Sequence, residues 1–398
     1  MTTEILPTDA RPAPITGAPP LSEITGRVDR LRTAMELAGI DALVLTNPDS
    51  VYYLTHFANF VHERPFILVV TGDGPLRFIV PALEIPHVRI RSLGAIDCIA
   101  YREFPAPAGQ GWDDRLTGLL AAGLRLAVEP DCPLFVAGRL AAAGHDPVPA
   151  ALVEDLRMVK SPWEIGRLRH AADLVSDAHA ALLAMAQPGL KVIEIHGALS
   201  RRMTGAALAG NPHLNLLACN FAAVAQPPEV SHDPHNFTDL FMALGRGGPH
   251  VSVIACRADG YAAELERTFF LGEVPAAAKP AFDAMAEARA LAFDLLKPGA
   301  SMAAIDEAVN ASLIRAGHGD HLLHRTGHAF GVTGHEAPFL AEGYDRLVEA
   351  GQVFSIEPGI YIEGLGGFRH SDTVLVTETG CLSLTSAPDR LEDLVVPV

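Results

Sequence analysis

Long apolar runs are missing from this chain of 398 residues. No stretch of about 18 uninterrupted apolar residues occurs, so no membrane-spanning helix is expected. A basic excess is missing too: 30 Lys+Arg stand against 47 Asp+Glu, a formal net charge of −17. Nucleic acid and anionic membranes recruit basic surfaces, so neither is an expected partner. Cysteine is sparse, at Cys98, Cys132, Cys219, Cys256 and Cys381, without a CxxC pair. An odd, scattered set fits reduced thiols and a cytoplasmic location better than a disulfide framework. The start, MTTEILPTDARPAPITGAPP, lacks a basic segment followed by an apolar one, so it does not read as a secretory signal. Its proline and alanine content suggests a disordered arm over residues 1–22. Charged residues make up only 19% of the chain while 49% is hydrophobic, which excludes general disorder. The length exceeds one ordinary core, so two domains are expected.

The first half alternates helix and strand signals. Ile24 to Leu37 has helical spacing and is followed by Gly39, a stop signal. Asp41 to Thr46 reads as a buried strand ending at the turn Asn47-Pro48-Asp49. Phe66–Val70 and Leu76–Val80 flank Gly72-Asp73-Gly74 as a hairpin, and Leu126–Val128 and Pro133–Val136 read as further short strands. This pattern predicts a small α/β domain over residues 23–153. At Val159-Lys-Ser-Pro-Trp-Glu164, Ser161 is a helix cap, Pro162 opens the helix and Glu164 completes a capping box. A second domain is therefore expected over residues 154–398, with helices at about 162–185, 192–204, 276–296 and 302–316.

Three segments of this second half carry candidate chemistry. Val251–Cys256 and Ala262–Phe270 read as a hairpin about Arg257–Tyr261, with Glu264, Glu266 and Thr268 on one face. Pairing about the turn centre puts Val253 opposite Glu264. Two carboxylates inside an apolar strand are costly unless a cation, a metal or a proton donor meets them. The alternative is the solvated face of an edge strand. Next, His324, His328 and His335 fall within twelve residues among glycines. Histidine there either shuttles protons or ligates a metal. Last, Glu357 ends an apolar strand before Pro358, as a ligand-holder or as the buried partner of Arg369.

Together these segments resemble the creatinase/aminopeptidase P/prolidase superfamily. Gly260-Tyr261…Arg267-Thr268, Gly327-His328…Gly331…His335-Glu336…Pro338 and Ser355-Ile-Glu-Pro-Gly359 stand in that family's order. Val159-Lys-Ser-Pro…Glu164 matches it at the domain join, so the resemblance covers about residues 25–390. It implies an α/β (α+β) protein: a creatinase-type N-terminal α/β domain, a C-terminal pita-bread domain and a homodimer. Metal-dependent members hold two divalent ions with two aspartates, one histidine and two glutamates. Carried over, these fall on Val253, Glu264, His328, Glu357 and Ser371. Valine cannot ligate, and serine is a poor substitute for a bridging carboxylate.

The segment Leu265–Leu271 also resembles creatinase, the metal-free member, in which glutamates grip a cationic substrate. That likeness implies a metal-independent hydrolase cleaving a C–N bond of a small, partly cationic compound. Glu266 and Glu357 would form the clamp, with Glu266 a candidate nucleophile. His235 or His232 would be the acid/base, while His328 and His335 orient substrate or stabilise an oxyanion. Arg64, Glu264, Tyr261 and Arg369 would bind substrate. The alternative is a metal-dependent Xaa-Pro dipeptidase-like enzyme, or a lyase, with one Zn, Mn or Fe at Glu264, His328 and Glu357. A non-enzymatic binding scaffold has no need of these side chains.

Overall fold

The computed structural model describes residues 11–59, 63–237 and 239–398. The chain forms two compact units, Ala18–Arg157 and Met1–Gly17 with Met158–Val398. Of the arm expected over residues 1–22, residues 1–10 lie outside the described residues. Further on, Ile15 N donates to Gly166 O at 2.9 Å, Arg167 Nη1 donates to Ile15 O at 2.9 Å, and the first helix begins at Leu21.

In the N-terminal unit, α1 (Leu21–Ala38), β1 (Ala42–Leu45), α2 (Pro48–Thr55), β2 (Ile67–Thr71) and β3 (Leu76–Pro81) come first. Then follow α3 (Ile85–Arg91), β4 (Ile96–Tyr101), α4 (Trp112–Leu119), β5 (Leu126–Val128), α5 (Leu134–Ala142) and β6 (Val148–Pro149). The six strands form one mixed sheet in the order β4-β3-β2-β1-β5-β6. Helix α1 buries Ile24, Val28, Leu31 and Met35, a three-to-four-residue stripe, and ends where Gly39 takes φ 63°, a left-handed cap. The strand expected at Pro133–Val136 is instead the start of α5. Four apolar residues fit either period; here Val136 and Leu140, four apart, bury one helical face while Leu134 stays 89% exposed.

After α6 (Leu152–Met158), the C-terminal unit runs α7 (Pro162–Met185), α8 (Val192–Gly210), β7 (Asn220–Gln226), α9 (Pro228–Ser231), β8 (Gly247–Ala258) and β9 (Tyr261–Leu271). It continues with α10 (Lys279–Leu295), α11 (Met302–Arg315), β10 (Gly327–Ala329), β11 (Glu336–Leu340), β12 (Val353–Ile356) and β13 (Gly359–Ile362). The last strands are β14 (Gly366–Arg369), β15 (Asp372–Val376), β16 (Cys381–Ser383) and β17 (Val395–Val396). A pair of long helices followed by an antiparallel sheet thus occurs twice, the repeat of a pita-bread domain. The sheets run β17-β9-β8-β7 and β11-β10-β12-β15-β16, with the hairpin β13-β14 between. Backbone bonds between Glu266 and Ser371 join the two halves. The capping box opening α7 forms: Ser161 Oγ accepts from Glu164 N at 3.2 Å, and Glu164 Oε2 from Ser161 N at 3.0 Å. No helix among the described residues is long and apolar enough to cross a membrane.

Candidate active site

Strands β8 and β9 meet at Asp259-Gly260, whose φ values of 48° and 88° fit the two-residue turn that matches strand twist. This turn centre lies one residue later than the sequence suggests, which moves each cross-strand pairing by two. Val253 therefore faces Glu266, and Glu264 faces Ala255, correcting the pairing of Val253 with Glu264. Alternation still places Glu264 and Glu266 on one side of β9, and both line a cavity of about 720 Å³.

Glu357, just beyond β12, lines the same cavity, and His328 on β10 stands against it. A Cβ on Gly327 would stand 2.1 Å from Ser355 O, so only glycine admits this close approach. The approach lets His328 N donate to Ser355 Oγ, which in turn donates to Glu357 Oε1, both at 3.0 Å. Nδ1 of His328 lies 3.2 Å from Ala329 O and, as a donor there, leaves Nε2 facing Glu357 Oε1 at 3.2 Å. One donor atom each from Glu264, His328 and Glu357 lies within 4.8 Å of the others. Burial would raise Glu357, but the hydrogen bond and charge of His328 hold it well below the usual carboxylate range. Burial alone would lower His328; Glu357 overrides it and raises the imidazole. Glu264 is pushed up, by burial first and then by the charge of Glu357.

A second chain of contacts leads away from these three residues. Arg369 grips Glu266 through Nη2 to Oε1 at 2.7 Å and through Nε to Oε2. Its Nη1 donates to Tyr361 Oη at 3.1 Å, and Tyr361 Oη lies 2.6 Å from His324 Nε2. His324 Nδ1 meets Arg325 O at 2.8 Å, so Nε2 is the acceptor and Tyr361 the donor in that last contact. Glu357 is thus not the partner of Arg369; Glu266 is.

Other histidines surround the opening. His335 stacks on His328 with ring centroids 3.7 Å apart, and burial followed by the charge of His328 pushes its pKa down to about 4. It is therefore neutral near pH 7. The neighbouring Glu336 accepts from Lys160 Nζ at 3.1 Å, a buried pair that ties this loop to the segment before α7. His235 and His324 line the cavity with His335, and His196 on α8 joins them.

Of the two proposed acid/base histidines, His235 lines the cavity and His232 is not among its lining residues. Tyr261 is fully buried, donates its hydroxyl to Glu164 Oε1 at 3.0 Å and meets Trp163 edge-on. It packs α7 against the hairpin, which corrects its assignment to substrate binding. Arg64 lies in the N-terminal unit, paired with Glu103 at 2.5 Å and Glu63 at 2.7 Å. Asp372 points to the other side of the sheet and is held by Arg267 and Arg289, so it does not replace the ligand missing at Ser371. Sequence reasoning assigned no role to Tyr361, Lys160 or His196. For Tyr361 the only local signal is its place four residues beyond Glu357.

The chain matches known families over most of its length. The model of metallopeptidase family M24 covers residues 166–378, and that of the creatinase/prolidase N-terminal domain covers residues 27–159. A probable dipeptidase, PepE of Mycobacterium tuberculosis, is 28% identical over 363 residues, 91% of this chain and 93% of that protein. The Xaa-Pro dipeptidase of Lactobacillus helveticus is 26% identical over 383 residues, 93% of this chain and 99% of its own length. Among solved structures, dipeptidase PepE from Mycobacterium ulcerans superposes with a TM-score of 0.82 at 28% identity, over 96% of this chain and all of that one. The expectation of no cofactor is corrected by these findings together with the converging Glu264, His328 and Glu357. Two missing ligands do not imply a metal-free site. One nitrogen and two carboxylates suit a single Zn, Mn or Fe ion, with the Nδ1 bond of His328 orienting its Nε2 as a ligand requires. The relatives likewise favour the dipeptidase alternative over the creatinase-like reading.

Proposed function

Because the chain belongs to metallopeptidase family M24, we propose that it hydrolyses the peptide bond of a dipeptide, the Xaa-Pro class first, with one divalent ion held by Glu264, His328 and Glu357. The observation that carries this reading is the convergence of those three side chains, two of which, Glu264 and Glu357, line one cavity. A bound ion would polarise the scissile carbonyl and lower the pKa of water. The rest falls to the protein. A cavity of about 720 Å³ is in the range that encloses a small ligand. Its Val224, Phe237, Leu240 and Leu323 give apolar contact to a side chain or a pyrrolidine ring. Neutral His335, face-on to His328, donates a hydrogen bond to the carbonyl oxygen as negative charge develops there. His235 stands at the same cavity to receive the substrate carboxylate or to move a proton to the leaving nitrogen.

The test combines metal content with turnover of an Xaa-Pro dipeptide panel. About one ion per chain is expected, with activity lost on chelation and regained with Mn²⁺ or Zn²⁺. Full activity in chelator, from protein that retains no ion, would sink the reading.

A further inference from the structure

Glu266 has an unusual pair of neighbours. Across the hairpin it faces Val253, and on its other flank its backbone exchanges two bonds of 3.1 Å with Ser371. Val253 and Ser371 are the positions at which the family resemblance places carboxylates and this chain has none. Glu266 itself stands where the metal-dependent pattern of the family resemblance has threonine, so one added carboxylate lies between two missing ones. It is 2% exposed and is gripped at both oxygens by Arg369, itself 3% exposed. A guanidinium this deeply buried is costly without a carboxylate partner. With neither Val253 nor Ser371 able to serve, Glu266 is the partner.

The geometry of the donors agrees. Glu264, His328 and Glu357 bring one set of converging donor atoms together, while both oxygens of Glu266 are taken up by Arg369. The side chains that remain offer ligands for one ion, and positions 253 and 371 add none for a second.

We propose that Glu266 is a relocated carboxylate: paired with Arg369, it replaces the counter-charge lost at Val253 and Ser371 and restricts the site to a single ion. This rests on the metal-dependent reading above. The three differences at 253, 266 and 371 are then one coupled change.

Two measurements test it. In the first, equilibrium dialysis against MnCl₂ counts ions per folded chain. One ion is expected for the natural protein and for Val253→Asp/Ser371→Glu, and two for Val253→Asp/Glu266→Thr/Ser371→Glu. A second ion taken up while Glu266 is still present would overturn the proposal, as would a single ion in the folded triple variant. The second measurement is thermal unfolding without metal. Glu266→Thr should lower Tm by several degrees, and adding Ser371→Glu to it should restore most of the loss. Additive effects at 266 and 371 would refute the relocation even if the triple variant does not fold. If the natural protein binds no Mn²⁺, the metal-dependent reading fails, and the thermal comparison still decides whether Glu266 took over the duty of position 371.

Discussion

Two buried charge clusters lie back to back on the same strands. Facing the cavity are Glu264, Glu266, Glu357 and Arg369, with His328 against Glu357. On the reverse side are Arg267, Arg289 and Asp372, with Thr385 and Asp389 at the margin. Adjacent residues in a strand point to opposite faces, so Glu266 and Arg267 belong to different clusters, as do Ser371 and Asp372. On the reverse side the carboxylate is saturated: Asp372 accepts from Arg267 at 2.8 Å, from Arg289 Nε at 2.9 Å and from Thr385 at 2.9 Å. Those arginines hold its carboxyl well below the usual range even though burial would raise it. The cavity side has more carboxylates than cations and opens to a space that a ligand fills. Similar side chains thus serve stability where they are saturated and chemistry where they are not.

The largest expected effect is on the cavity side. His328→Ala should lower kcat/KM toward an Xaa-Pro dipeptide by about 10³-fold or more, since an ion's charge stabilisation is worth several kcal/mol. Its denaturant midpoint should fall less than that of Asp372→Ala, because His328 has one charged partner where Asp372 has two. A large stability loss with activity per folded molecule intact would erase the distinction between the clusters. The mirror experiment is Asp372→Ala. Removing one member of a buried, fully bonded network costs about 3–5 kcal/mol, read from urea unfolding, while the Mn²⁺ count per folded chain should not change.

Acid separates the faces next. His179 is fully buried near Arg267 and Asp372, and burial, then the charge of Arg267, pushes its pKa down to about 3. The unfolded chain takes up this proton near pH 6.5 and the folded chain does not. Stability is therefore complete above about pH 6.5 and is lost as pH falls toward 3. Between pH 6.5 and 4.5 the loss is on the order of 2–3 kcal/mol. His179→Leu should flatten that slope in urea unfolding at a series of pH values; an unchanged slope would place the acid sensitivity elsewhere. The smallest effect belongs to Lys160→Met. Releasing the Glu336 loop should raise KM about tenfold through a displaced His335, an effect of about 1.4 kcal/mol, and Lys160→Arg should recover part of it. Loss of stability alone, with KM unchanged, would make the pair structural.

The sequence order carried a good part of this. Glu264, His328 and Glu357 were legible as candidates from their places among glycines and apolar strands and as a ligand set through the family resemblance, and the α7 capping box from Ser161 and Glu164. The Glu266–Arg369 pair was not, because 103 residues separate its members and strand order alone does not bring them together. The chain from Arg369 through Tyr361 to His324 escaped for the same reason. Tyr261 misled because its place beside Gly260 fits the family motif, whereas Glu164, 97 residues away, claims its hydroxyl. Pro133–Val136 misled because four apolar residues do not distinguish a strand from a helical turn. Two substituted ligands put the metal-free reading ahead of the one-metal alternative, although the three that remain converge.

The Asp259-Gly260 turn has a consequence for how this enzyme can diversify. Because it sets the phase of β9, inserting a single residue there would rotate the strand half a turn against its neighbours. Arg267 would then look into the cavity and Glu266 into the region of Asp372, so one codon would exchange a negatively charged wall for a positive one. Substitutions at the cavity wall can accumulate gradually, but the length of this turn can change only all at once.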